Sequence, residues 1–244
     1  YEHSIVILMA DHGDSLGEGL RWGHAYTMFP EVVRIPLLVH VPPRLRQRFH
    51  ADPDALALLT DDPDSLRRWL TALPPHDLLI TSGGISVGAF DHTRKVLSDL
   101  GGELAFWRVS IRPGAPLGFG RWRGTPWIGL PGNPVSSMVT AELFVKPALR
   151  RLLGMPKVFA QPVPVRVTEA ITVAARRTHF LRAVVSAGVD GRLEACLTGP
   201  QGSGLLTSMA RANALLVVPA DRSSTESGET LGAILLGVES ILGN

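Results

Sequence analysis

The sequence predicts an α/β domain followed by a small all-β domain. Three observations carry this. DLLIT (77–81) runs through the glycine-rich turn SGGISVG (82–88) into FDHTRKVLSDL (90–100), a strand–turn–helix unit. A second short strand, WIGL (127–130), passes through PGNP into a long helix over 134–153. Beyond the Pro-rich stretch MPKVFAQPVP (155–164), short apolar runs alternate with glycine, Asp-Gly and serine turns.

Taken in order, SIVILMA (4–10) and PLLVHV (36–41) read as buried strands, short apolar runs with β-branched residues. PPRLRQRFHADPD is a polar connection. A helix starts at Asp62-Pro63, with Asp as cap and Pro at the first position, and stops before Pro74-Pro75. The helix over 90–100 ends at Gly101-Gly102. ELAFWRVSI (103–111) reads as a strand, with short strands around GFG (118–120) and WIGL. In 134–153, Met138, Ala141, Val145, Leu149 and Leu152 recur at spacings of three and four, which predicts one buried stripe. Asn133 caps this helix, Pro134 opens it and Gly154 stops it. VRVTEAI, FLRAVVSA, LEACLTG, ALLVVPA and TLGAILLG supply the β domain's strands, and Asp190-Gly191 marks a hairpin. The expected division is 1–60, then 61–154 (α/β), a linker at 155–162, and 163–240 (β).

Composition narrows the function classes. With 244 residues and 45% hydrophobic content, the chain can bury one large core or two smaller ones. A net charge of +2 gives no strong field for nucleic acid or an acidic membrane surface. No apolar run approaches the roughly 20 residues of a membrane span. Cys196 stands alone, so no internal disulfide can form, and a cytoplasmic setting is expected. Nearly all basic residues are Arg, the side chain whose planar fork suits phosphate and carboxylate. The chain opens Tyr-Glu-His and is expected to be part of something longer.

Several segments could carry chemistry. Ser82, Gly83, Gly84, Ser86 and Gly88 form a strand-to-helix turn whose free N–H groups and hydroxyls suit an anion. The other reading is a tight turn chosen for backbone geometry. Asp91 follows, either as a helix cap or as a carboxylate that orients magnesium or a phosphate-bound water. Arg108 and Arg112, four apart on one expected strand, would face the same cleft. Pro131, Gly132, Asn133, Pro134 and Ser136 form a second strand–turn–helix start. In open α/β sheets, ligands sit outside the carboxyl ends of strands, where both turns lie.

DLLITSGGISVGAFDHTRKVL, AFWRVSIRPGAPLGFG, GLPGNPVSSMVTAELFVKPAL and GPQGSGLLTSMARANALLVVP together resemble, in order, the molybdopterin molybdenumtransferases, which include the gephyrin E domain. The resemblance implies that 62–154 are the later half of a three-layer molybdopterin-binding α/β domain, and that 163–240 are the family's C-terminal β domain. It implies cleavage of adenylylated molybdopterin and insertion of molybdate with release of AMP, assisted by Mg2+. It places the pterin phosphate at SGGISVG and catalysis at Asp91. Arg108 and Arg112 stand where the family often has lysine, and Ala115 where many members have a third. Ser203 and Arg211, with Arg177 and Arg182 around FLR, match basic and hydroxyl positions of the last domain. A homodimer is the assembly it implies. Two further domains and the first half of the α/β domain, which family members carry ahead of residue 62, are not recognised.

Residues 1–60 are similar instead to the later part of a sulfatase of the alkaline-phosphatase superfamily, through LMADHGDSLGEGLRWGH. There Asp11 and His12 would bind the metal and His24 would approach the anionic group. Gly19 stands where a histidine is usual, and the sulfatase nucleophile motif occurs nowhere. This implies a junction near residue 60 between two gene fragments. SIVILMA could then add a parallel strand beside LLIT. Three functions follow for test: a truncated enzyme of molybdenum-cofactor synthesis, a sulfatase-type hydrolase remnant, and a non-catalytic binding scaffold.

Overall fold

The computed structural model describes residues 62–73, 75–83 and 92–237, together with the backbone of four short strands within 1–60. Those four are β1 (Val6–Met9), β2 (Ser15–Leu16), β3 (Trp22–Gly23) and β4 (Leu37–His40). β1 pairs antiparallel with β4, from Val6 opposite His40 to Met9 opposite Leu37, in a sheet of two strands. The expectation that SIVILMA lies parallel beside LLIT is therefore corrected. Two apolar strands from the same segment satisfy each other's backbone groups locally.

Contacts divide the chain into two compact units. The first contains residues 1–108 and 116–134. Its elements after the four early strands are α1 (Pro63–Ala72), β5 (Leu79–Ser82), α2 (His92–Asp99), β6 (Glu103–Phe106), β8 (Gly118–Trp122) and β9 (Thr125–Leu130). The sheet order is β5-β9-β8-β6, with β5 and β9 parallel and the other pairings antiparallel. α1 is capped as its sequence demands. Asp62 accepts hydrogen bonds from the N–H groups of Asp64 and Ser65, with Pro63 in the first turn. Leu66 and Leu70 of α1, Val96 and Leu97 of α2, and Leu79, Trp122 and Trp127 of the sheet form one buried cluster. Trp122 is fully buried and its indole N–H donates to the Leu100 carbonyl at 3.3 Å, so its polar atom is satisfied inside the core.

The second unit contains residues 109–115 and 135–244. It holds β7 (Ile111–Arg112), α3 (Pro134–Thr140, whose first residue counts with the first unit), a π-helical segment (Ala141–Val145) and α4 (Lys146–Leu152). Then come β10 (Val163–Val167), β11 (Ile171–Thr172), β12 (Thr178–Ala187), β13 (Leu193–Leu197), α5 (Leu206–Arg211), β14 (Ala214–Val218), β15 (Ser224–Thr225) and β16 (Thr230–Leu235). The strand order is β13-β10-β16-β14-β12-β7, and β13 also pairs with β12, so five strands close on themselves and β7 attaches outside. Alternation along the strands sorts the side chains. Val165, Val167, Leu181, Ala183, Leu216, Val218, Leu231 and Ala233 fill one cluster, while Leu215 and Ile234 point the other way onto Val135 and Val139 of α3. The Asp190-Gly191 turn joins β12 to β13, with Gly191 at φ 78° and the Asp190 carboxylate accepting from the Arg192 N–H.

Two more expectations change. The predicted stripe on 134–153 is buried only in part: Val145 is buried, but Met138 is 44% and Leu152 50% exposed, and Val135 and Val139, outside the stripe, are buried. The π segment breaks the 3.6-residue register that the stripe assumes. The strand expected over 103–111 ends at Phe106. After it the Val109 N–H donates to the Ala115 carbonyl, and Ile111–Arg112 pair with β12 as β7. Residues 109–115 and 135–154 count with the β unit by contact, which departs from the sequence division at 154.

Candidate functional site

The two strand-end turns meet because their strands are neighbours. β5 and β9 run parallel with Ser82 opposite Leu130, so both carboxyl ends deliver their turns to the same side. The Ser82 hydroxyl donates to the Pro131 carbonyl at 3.1 Å, and the Gly83 N–H donates to the Leu130 carbonyl at 3.1 Å. Gly83 has φ 81°, and a Cβ there would lie 4.0 Å from Gly132 Cα. A larger side chain at Gly83 would be strained in its own backbone and would enter the space between the turns. The pairing thus brings Ser82, Gly83, Pro131 and Gly132 together. Asn133, in the second turn, has a buried Oδ1 with no hydrogen-bond partner among the described residues. A buried, unused acceptor at a turn is the kind of group a ligand donor can satisfy. Gly84, Ser86, Gly88 and Asp91 lie outside the described residues, as do Asp11, His12, Gly19 and His24.

The arginines are arranged differently from expectation. Arg108 and Arg112 do not share a strand face, because β6 stops at Phe106 and the two residues fall in different units. Arg108 is exposed and its guanidinium lies 5.4 Å from the centre of the Trp107 ring, whose face also receives Arg94 at 4.4 Å. Arg112 is exposed at the end of β7, next to Pro113 and Gly114, which are buried. Gly114 has φ 100°, and a Cβ there would collide with Thr140 Cγ2. The Arg112-Pro113-Gly114 turn therefore sits directly on α3. Ser136 is only 6% exposed and its carbonyl accepts from the Thr140 hydroxyl at 2.7 Å, so its own hydroxyl offers little surface to a ligand.

In the β unit, Arg177 and Arg211 are exposed and Ser203 is half-buried in the loop after β13. Arg182, expected to contact substrate, is fully buried. Its Nε donates to Ser208 Oγ at 2.8 Å, and its terminal nitrogens donate to the carbonyls of Pro200 (3.3 Å), Gln201 (3.2 Å) and Gly202 (2.9 Å). Gln201 closes the arrangement: its Oε1 accepts from the Arg182 N–H at 2.8 Å, and its Nε2 donates to the Arg182 and Gly199 carbonyls. Burial pulls the guanidinium's pKa below its ordinary value. Direct ligand contact by Arg182 is thus corrected to a contact with the loop that carries Ser203. Gln201, Ser208, Gly114 and Thr140 are participants that sequence reasoning missed. Only Gln201 and Gly114, inside GPQGSG and RPG, stood in motifs that could have drawn notice.

A cavity of about 610 Å³ opens elsewhere, against α2, β6 and β8, with Arg94, Lys95, Asp99, Glu103 and Arg121 among its lining. None of the nominated residues lines it, and its charges are of both signs. The strand-end turns have the chemistry for an anion and are the better candidate. Among the described residues no three His, Cys, Asp or Glu side chains gather as a metal site, and no helix is long and apolar enough to cross a membrane.

Comparison with known proteins matches this layout. Residues 43–151 match the family described as "Probable molybdopterin binding domain", and 164–236 match that described as "MoeA C-terminal region (domain IV)". A molybdopterin molybdenumtransferase from Haemophilus influenzae is 33% identical over 228 residues, covering 93% of this chain and 54% of that protein. Molybdopterin molybdenumtransferase 2 from Mycobacterium tuberculosis is 35% identical over 161 residues, 64% of this chain and 39% of that protein. Among solved structures, a molybdopterin biosynthesis MoeA protein from Pyrococcus horikosii is 29% identical with a TM-score of 0.57, over 72% of this chain and 41% of that one.

These matches define a molybdopterin-binding domain followed by a C-terminal β domain. The chain belongs to the molybdopterin molybdenumtransferase (MoeA) family. It spans about half or less of the length of the curated relatives it matches. The expected junction near residue 60 is corrected: the first family match starts at residue 43, and an alignment over 93% of the chain runs well into the first 60 residues.

Proposed function

We propose that this chain is the later part of a molybdopterin molybdenumtransferase, acting in molybdenum-cofactor biosynthesis in the cytoplasm. The observation that carries the reading is the meeting of the Ser82-Gly83 and Pro131-Gly132 turns at the ends of two parallel strands, inside the segment similar to a molybdopterin-binding domain. In this reading the turns hold the pterin phosphate of adenylylated molybdopterin, with Gly84, Ser86 and Gly88 continuing the cradle. Asn133 Oδ1 accepts from the ligand. Arg108, in the same unit, supplies positive charge to its anionic groups. Asp91 acts in cleavage of the adenylate, after which molybdate is placed on the dithiolene and AMP leaves.

Magnesium belongs to the reading with Asp91 as its candidate ligand. A three-layer α/β domain and a homodimer complete the proposal. The test is AMP release from adenylylated molybdopterin with molybdate and magnesium. Release that falls at least tenfold in Asp91→Asn supports the reading, and release unchanged by that substitution refutes it.

A second reading concerns the first 42 residues alone. In the sequence Asp11-His12 follows the apolar run SIVILMA, as in the sulfatase metal loop that it resembles. Titration with calcium or zinc decides it: binding lost in Asp11→Asn supports the remnant, and binding indifferent to that change removes it.

A further inference from the structure

Two guanidiniums in the first unit share one indole. Arg94 Cζ lies 4.4 Å and Arg108 Cζ 5.4 Å from the centre of the Trp107 ring. Measured through that common point, the two charges are at most about 10 Å apart, close to the screening length of about 8 Å at physiological salt. Among the described residues neither arginine forms an ion pair or a hydrogen bond. The carboxylates of the same elements are used or remote. Asp99 is held by Lys95 at 2.9 Å and Arg67 at 3.2 Å, and Glu103 starts β6, whereas Trp107 follows its end. A ring face attracts a cation but does not neutralise it. Two like charges held together without a counter-ion are a place for an anion.

Strand register puts this place at the same end of the sheet as the paired turns. β6 is antiparallel to β8, β8 is antiparallel to β9, and β9 is parallel to β5, so β6 points the same way as β5 and β9. Phe106 is opposite Phe119, Phe119 opposite Ile128, and Ile128 opposite Ile80. Trp107 and Arg108 therefore leave the sheet at the level of Thr81 and Ser82. With strands about 4.8 Å apart, β6 lies about 10 Å from β9 and about 14 Å from β5. An ion no larger than phosphate does not span that distance. An elongated ligand does, if it carries a second anionic group beyond the one at the turns.

We propose that Arg94 and Arg108, mounted on Trp107, bind the phosphate of the adenylate half of adenylylated molybdopterin and keep hold of it as AMP. The proposal rests on the functional reading above, which places the pterin phosphate at the turns. It adds Arg94 and Trp107 to that site. A guanidinium plane donates two parallel N–H bonds to phosphate oxygens, and the ring beneath each plane limits how it turns.

The probe is AMP, titrated calorimetrically into the parent chain, Arg94→Gln, Arg108→Gln, Gly83→Val and Lys95→Ala, with adenosine as the ligand that lacks the phosphate. Lys95 borders the cavity against α2 together with Arg94, so its variant separates that cavity from the arginine pair. The expected result is saturable AMP binding in the parent, at least tenfold weaker for adenosine. Each arginine variant loses about tenfold or more for AMP, while Gly83→Val and Lys95→Ala bind it like the parent. Unchanged melting temperatures in the arginine variants separate lost contact from lost folding. Four results overturn the proposal: no AMP binding in the parent, AMP binding that survives Arg94→Gln, adenosine bound as well as AMP, or AMP binding lost in Gly83→Val or Lys95→Ala instead. The functional reading fails separately, if adenylylated molybdopterin binds no worse to Gly83→Val than to the parent. Loss of AMP in both arginine variants would then still establish the phosphate site.

Discussion

Asp62 shows how much one side chain can do at a helix start. Its carboxyl is held below the ordinary value first by the Ser65 hydroxyl, then by the Ser65 and Asp64 N–H groups and by Arg68. A carboxylate with a depressed folded pKa adds stability at neutral pH, and that stability is lost as pH falls through the acid range towards the folded value. Melting temperature measured from about pH 5 to pH 2 should fall less steeply in Asp62→Asn than in the parent; identical slopes would contradict the cap's role. Gly114 acts through space. Its φ of 100° and its contact with Thr140 leave no room for a methyl group, while Gly124, at φ 81°, has nothing near. Gly124→Ala should cost about 1 kcal/mol for the backbone alone, and Gly114→Ala about 1–3 kcal/mol more. Equal losses in urea denaturation would mean that the Arg112-Pro113-Gly114 turn is not seated on α3.

At the scale of elements, the helix after PGNP shows where sequence stops being legible. Its start at Pro134 was readable, because proline suits a helix's first turn. The expected Asn133 cap is not made, since Asn133 Oδ1 has no hydrogen-bond partner among the described residues. Its buried face was not readable, because Ala141–Val145 is π-helical and nothing in AELFV announces that. The consequence is measurable: Val139→Ala should lose about 2 kcal/mol, and Met138→Ala should stay within about 0.5 kcal/mol. The reverse order would restore the 3.6-residue stripe. Strand β6 failed for a different reason. ELAFWRVSI is apolar enough to run on, but Val109 turns to pair with Ala115, and Ile111 with Arg112 joins β12. Such long-range pairing leaves no local signal. The strand–turn–helix units were legible because glycine, proline and cap residues act over a few positions. Arg182 was legible as important and not as buried, since FLR does not show that three carbonyls wait for it.

For the molecule as a whole, the closed β unit and the parallel pair β5–β9 are separate solutions to burying apolar faces, each with its own core. The candidate site needs only the second: two strands whose carboxyl ends deliver glycine turns side by side. Family membership follows from blocks that match in order over most of the chain, which a lone glycine turn could not have carried. The most direct measurement is a calorimetric titration with adenylylated molybdopterin of the parent chain, of Gly83→Val, and of Lys95→Ala beside the other cavity. Saturable binding that weakens at least tenfold in Gly83→Val and is unchanged in Lys95→Ala is the predicted result. Binding that survives Gly83→Val, or that is lost in Lys95→Ala instead, would contradict the placement of the ligand at the paired turns.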